Sequence, residues 1–203
     1  MATFLQLQDA VASDTRFFDR AVDTGIQSQI KQHINEAIRA HQKDHFWFNE
    51  QQWSRSTEAG REFYALPAEY VAMFTISLNS PRVKLVSMLN DSMEEMEPYQ
   101  GRPIYFALFA NQYRLFPIPD GVYGLRLWGV RKYADLVNDD DENPWTNEAF
   151  ELIREAAKAR VFYSDIHKEE FARTAEEAAA KARTDLMLET KRRQPVQEIR
   201  PFL

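Results

Sequence analysis

The chain contains no cysteine. That excludes a disulfide framework and every thiolate metal site, and it fits a protein made in a reducing cytoplasm. Glycine is scarce, six in 203 residues, and none falls in a phosphate-cradling or dinucleotide-binding pattern. No serine sits in a Gly-x-Ser-x-Gly elbow, so nucleophilic catalysis finds no support and no enzyme is expected. The longest apolar run is a few residues, far short of the ~20 that cross a bilayer, so no membrane partner is expected. The opening stretch MATFLQLQDAVASDTRFFDR lacks the basic start and apolar segment of a signal peptide. Positive charge is also in deficit: 25 Lys and Arg against 31 Asp and Glu leave a net charge of −6. Grip on nucleic acid rests on neutralising phosphates, so this chain is a poor candidate for gripping DNA, though it could still line a passage through which DNA slides.

What the chain does have is aromatic residues, at 13%. Such side chains dominate both cores and interfaces. At this length a chain buries roughly 70% of its unfolded surface and needs no staple. Apolar residues recur with two different periods. Phe4, Leu5, Leu7 and Val11 predict a first helix stopping near Ser13-Asp14, and Ile26, Ile30, Ile34 and Ile38 predict a second running to about His45. From Trp53 to Leu66 the period falls to two, giving two strands around a turn at Glu58 to Arg61. Val71 to Leu78 is a third strand and turns at Asn79-Ser80-Pro81 into VKLVSM, and a short polar helix follows from Asn90 to Glu97. Ile104 to Phe109, Tyr113 to Phe116 and Val122 to Val130 are further strands, the last entered through an Asp120-Gly121 hairpin signal. Pro144 fits a helix start, and two apolar stripes then extend to Arg193: Phe150, Ile153, Ala157 and Val161, and Phe171, Ala175, Ala178, Ala182 and Leu186.

The order predicts an α+β fold: a helical bundle from both chain ends with an inserted antiparallel β subdomain. The expected division is 1–52 for the N-terminal helices, 53–133 for the β subdomain, 134–193 for the C-terminal helices and 194–203 for an extended tail. The Ala-rich stripe permits close helix approach, which makes Phe171, Ala175, Ala178 and Ala182 candidate subunit-interface residues. The tail holds two prolines and cannot continue a helix, yet Val196, Ile199, Phe202 and Leu203 are apolar. With Arg192, Arg193 and Arg200 to steer it, such a segment suits docking on a partner.

Two motifs invite a metal. His41 and His45 have the spacing of a metalloprotease helix, but Gln42 stands where the general-base glutamate belongs, and ordinary helix surface is the preferred reading. The acidic loop Asn138 to Asn143 lacks the glycine of a calcium-binding hand and reads as solvated charge ahead of a helix N-terminus. Neither metal nor cofactor is expected.

The stretch Gly101-Arg102-Pro103-Ile104-Tyr105-Phe106-Ala107-Leu108-Phe109 leads across Ala110-Asn111-Gln112 into Tyr113-Arg114-Leu115-Phe116-Pro117-Ile118-Pro119-Asp120-Gly121. Arg131-Lys132-Tyr133 ends the next strand, and Asp139 to Pro144 precede Trp145. In order and spacing these pieces resemble the head-to-tail adaptor (connector, or head-completion) proteins of tailed bacteriophages, through about Arg183. The resemblance implies a structural protein forming a ring, usually of twelve subunits, under the portal, in contact with the portal protein and a tail or nozzle protein. DNA would only pass through the lumen. Such a protein resides in the neck of the virion and is assembled in the host bacterial cytoplasm. A tail-tube or other neck component of the same particle is the alternative, and a small hydrolase or cell-wall-degrading tail protein lacks the residues for its chemistry. The resemblance carries over no catalytic residues.

Overall fold

A computed structural model describes residues 2–15 and 24–193. The chain divides into two compact units, one formed by 1–49 with 133–203 and the other by 50–132. The fold is α+β, helical at both ends of the chain with strands between.

The first unit holds α1 (Phe4–Thr15), α2 (Thr24–His41), α4 (Pro144–Asn147), α5 (Phe150–Ser164) and α6 (Glu169–Arg193), with α3 (Asn90–Glu94) belonging to the second. Ile30, Ile34 and Ile38, one turn apart on α2, meet Phe4, Leu7 and Val11 of α1 and Leu152, Ile153, Ala157 and Val161 of α5 in one core. Each fully buried Ile or Leu there contributes on the order of 1.5–3 kcal/mol. Trp145 sits in the same core at 0% exposure, edge-on to Phe46 and Phe48. Its helix begins where Asn143 accepts from the amides of Trp145 and Thr146, and the Thr146 hydroxyl accepts from the Asn143 amide, a reciprocal cap ahead of Pro144. The carbonyls of Asp141 and Asp139 accept from the Phe4 and Leu5 amides, so the acidic loop satisfies the open first turn of α1.

Inside the second unit, β1 (Glu50–Ser56), β3 (Tyr70–Asn79), β4 (Arg82–Lys84) and β10 (Gly124–Arg131) form a sheet in the order β1-β10-β3-β4. A second sheet has the order β2 (Phe63–Ala65), β8 (Gln112–Phe116), β7 (Tyr105–Phe109) and β5 (Val86–Ser87), and β6 (Gln100–Gly101) pairs with β9 (Ile118–Pro119). Alternation along the strands sends Trp53, Ile76, Leu78, Leu125 and Leu127 of the first sheet against Tyr64, Phe106, Tyr113 and Leu115 of the second. The opposite face of the second sheet presents Ala107 and Phe116 to Met93 of α3. Gly129 lies where β10 shifts register against β3; a Cβ there would come within 2.1 Å of the Ala72 carbonyl oxygen, so only glycine fits.

Several sequence expectations change. The Trp53 to Leu66 segment does hold two strands, but they do not pair: β1 joins β10 and β2 joins β8, in different sheets. The strand block has ten strands, and two short pairs, β5 with β7 and β6 with β9, run parallel rather than antiparallel. VKLVSM splits around Leu85, which turns into the core at 1% exposure. The second helix ends at His41, where the Asp44 amide donates back to the His41 carbonyl, so His41 and His45 do not share a helix. On α6 the inward stripe runs through Ala172, Ala175 and Ala179, leaving Phe171 and Ala178 about a residue off it. No described helix is long and apolar enough to cross a membrane.

Every residue of the helical core comes from the first unit, and its two chain ends are joined where the Tyr133 hydroxyl donates to the Phe48 carbonyl at 3.0 Å. Replacing residues 50–132 with a short glycine-serine linker is therefore expected to leave a cooperatively melting helical protein. Circular dichroism checks this; a broad, non-cooperative melt would contradict it.

Candidate assembly surfaces

The first candidate surface is the hairpin of α5 and α6, pinned by charge to the turn that follows α2. Arg183 donates to both oxygens of Asp44, Nε at 2.7 Å and Nη2 at 2.6 Å, while His41 Nδ1 lies 3.2 Å from the same carboxylate. A forked guanidinium on a carboxylate fixes geometry as well as distance. Burial pushes the Asp44 carboxyl up, but its bonds to Arg183 and His41 outweigh burial and hold it below the ordinary carboxylate value.

A groove of about 610 Å³ between α2, α5 and α6 is lined by His33, Glu36, Arg160, Ser164 and Arg183 among others. His33 Nε2 stands 3.0 Å from Asp165 and 3.2 Å from the Ser164 hydroxyl, which itself donates to the Arg160 carbonyl. In a nucleophilic triad the acid and the serine occupy opposite ring nitrogens; here both face the same one. Glu36 is held below the ordinary glutamate value by the Gln32 side chain, then by His33 and Arg160, against the opposing effect of burial. The cluster ties α2 to the end of α5.

Of the four interface candidates on α6, Ala175 is buried at 3% exposure and Ala182 packs half-buried on the core, while Ala178 is exposed. Phe171 is 54% exposed and leans on Phe162, ring centroids 5.5 Å apart. The four therefore divide between the inside and the outside of the helix pair. At the helix end Arg193 donates to Glu189 at 2.5 Å and lies over the Trp47 ring at 4.1 Å, while Arg192 is exposed. Val196, Ile199, Arg200, Phe202 and Leu203 lie outside the described residues.

The acidic loop uses its carboxylates on the protein itself. Asp141 accepts from the Val137 and Asn138 amides, and Asp139 pairs with Lys31 at 2.8 Å. Among the described residues no group of three or more His, Asp or Glu could hold a metal ion.

Surfaces that the sequence reading passed over lie on the strand unit. Around α3 stand Leu89 at 76% exposure and Tyr99 at 54%, with Asp91, Glu95 and Glu97 exposed beside them. The outward face of the first sheet carries Trp128 at 41% exposure, with Arg82, Lys84 and Arg126. No local sequence signal marks this face, because strand register alone brings β4 and β10 side chains into one row. Between these layers the buried Arg114 bonds Glu62 and Glu94 and lies over the Phe63 ring, holding the α3 side to the second sheet.

Asp44→Asn is expected to cost about 1–2 kcal/mol at neutral pH, the value of a charge-assisted bond discounted for the partly exposed Arg183. A carboxyl depressed in the folded state adds stability that is present above its unfolded value and lost as pH falls through the folded one. The gap between wild type and variant in thermal melts should therefore be full at pH 7 and close below about pH 4. A gap independent of pH would contradict this role.

No curated protein matches the chain. The family model described as SU10 adaptor protein matches residues 2–200, nearly the whole chain. The chain belongs to the SU10 adaptor protein family.

Proposed function

We propose that this adaptor forms a ring of identical copies, twelve in the arrangement the resemblance implies, beneath the portal of a tailed bacteriophage and joins the head to the tail during virion assembly. The observation that carries this reading is a family match spanning 2–200, which takes in both compact units. Exposed large apolar side chains on each unit support it: Tyr163, Phe171 and Leu188 on the helices, Leu89, Tyr99 and Phe109 among the strands. Large apolar side chains left exposed are available to a partner that covers them. The net charge of −6 suits a lumen that lets DNA slide without adhering. The ring would sit in the neck, assembled in the bacterial cytoplasm, with the portal above and a tail or nozzle protein below. The protein acts by docking, and no residue is assigned a catalytic role.

Within the ring, Phe171 and Ala178, both exposed on α6, would be the residues that meet a neighbouring copy. Ala175 and Ala182 would support them from inside the helix pair. Ala178→Glu is expected to fold normally and to reduce ring formation at least tenfold, because an unpaired carboxylate would be buried at the contact. Ala175→Glu should instead lower the melting temperature. Rings formed normally by folded Ala178→Glu would place that face in solvent.

The segment 194–203 is assigned to the portal, with Val196, Ile199, Phe202 and Leu203 as anchors and Arg192, Arg193 and Arg200 for steering. Arg193 would have to exchange its Glu189 bond for the partner. Purified chain mixed with purified portal should give a complex of fixed stoichiometry by native mass spectrometry, and deletion of 194–203 should weaken it at least tenfold without changing the melt. A chain that ignores the portal and stacks into tubes would favour a tail-tube or other neck component.

A further inference from the structure

The strand unit is layered, and its two outermost layers carry opposite charge. On the first sheet the register sets Ser54, Arg126, Ser77 and Lys84 side by side across β1, β10, β3 and β4. The neighbouring rows place Trp128 beside Gln52 and Thr75, and Arg82 beside Asn79. In these three rows every ionisable side chain is a cation, and Arg82 and Lys84 are exposed. Arg82, Lys84 and Arg126 form no ion pair among the described residues.

At the other extreme stands α3, on the far face of the second sheet. Glu94 is engaged by Arg114, but Asp91, Glu95 and Glu97 are exposed and form no ion pair among the described residues. Leu89 and Tyr99 lie beside them at 76% and 54% exposure. Each outer layer thus joins three free charges of one sign to apolar contact area, and the signs are complementary.

We infer that the α3 layer of one copy docks on the outward face of the first sheet of the next copy, Asp91, Glu95 and Glu97 meeting Arg82, Lys84 and Arg126 around Trp128. The inference rests on the ring reading and deepens it. A contact between two different patches on opposite sides of a unit is head-to-tail, and head-to-tail contacts close into rings when the rotation per copy permits. Complementary potentials set register and association rate, and Trp and Arg are the residues that most often anchor such contacts. Nucleic acid is the other ligand a cationic sheet face could take, but it leaves the matching acidic layer of the same unit without a role.

The test uses two full-length variants, R82E/K84E/R126E and D91K/E95K/E97K, each with and without purified portal, read by native mass spectrometry and sedimentation. Circular dichroism melts close to wild type establish that both fold. Wild type should form rings; each variant alone has two like-charged layers and should lose ring formation at least tenfold. Mixed one to one, the variants should regain it, since each supplies the charge the other lacks. The regained assembly should weaken between 50 and 500 mM salt. Folded variants that each ring normally, or a mixture that stays dissociated, would overturn this contact while leaving the ring reading intact. Loss of binding to duplex DNA by the first variant with its rings unchanged would overturn it in favour of nucleic acid. A wild-type chain that forms no ring in either condition would overturn the ring reading, and this contact with it.

Discussion

A strand-rich segment can sit inside a helical bundle only if the chain leaves and re-enters the bundle at neighbouring points. Both units meet that constraint independently. In the strand unit Glu50 pairs with Val130, so its first and last strands run side by side. In the helical unit the Tyr133 hydroxyl donates to the Phe48 carbonyl and the Gln42 side chain donates to the Tyr133 carbonyl. The Asn35 amide then holds Leu136 both ways, donating to its carbonyl and accepting from its amide, each at 2.9 Å. Those two bonds are buried, where an unmade partner costs roughly 1–3 kcal/mol. Helices more than a hundred residues apart in sequence thereby share one core, and the packing of α5 on α1 and α2 follows from that junction.

The layered strand unit has a consequence for assembly. Alternation places apolar residues between the two sheets and polar residues outside, as any half-buried sheet requires. Here the outside is also sorted by sign, because the residues at alternate positions of β4 and β10 are Arg82, Lys84 and Arg126, while the helix covering the other sheet is acidic. A chain with a net negative charge that keeps one uncompensated cationic face is suited to meeting its own acidic side.

Much of the fold was legible because its signals are local. The four-residue spacing of Ile30, Ile34 and Ile38, the stripe from Phe150 to Val161 and the Asn143-Pro144 helix start all follow from contacts within a few residues. Strand pairing is not local. The segment from Trp53 to Leu66 has the alternation of a hairpin, yet β1 finds β10 some seventy residues away, since Trp53 needs the face shared with Leu127 and Ile76. Alanine occupies both Ala178 and Ala179, and composition cannot say which of two adjacent alanines faces inward; in the structure it is Ala179. The charged layers have no local signal for a related reason: Arg82 and Lys84 come from β4 and Arg126 from β10, and only register through β3 places them in adjoining rows.

The central claim is that copies of this chain close a ring between head and tail. Cryo-electron microscopy of the intact virion neck tests it most directly. The account requires density for this chain as one closed ring against the portal, with the α3 layer of every copy facing Arg82 and Lys84 of the next. Density for the chain as stacked rings along the tail, or its absence from the neck, would contradict it.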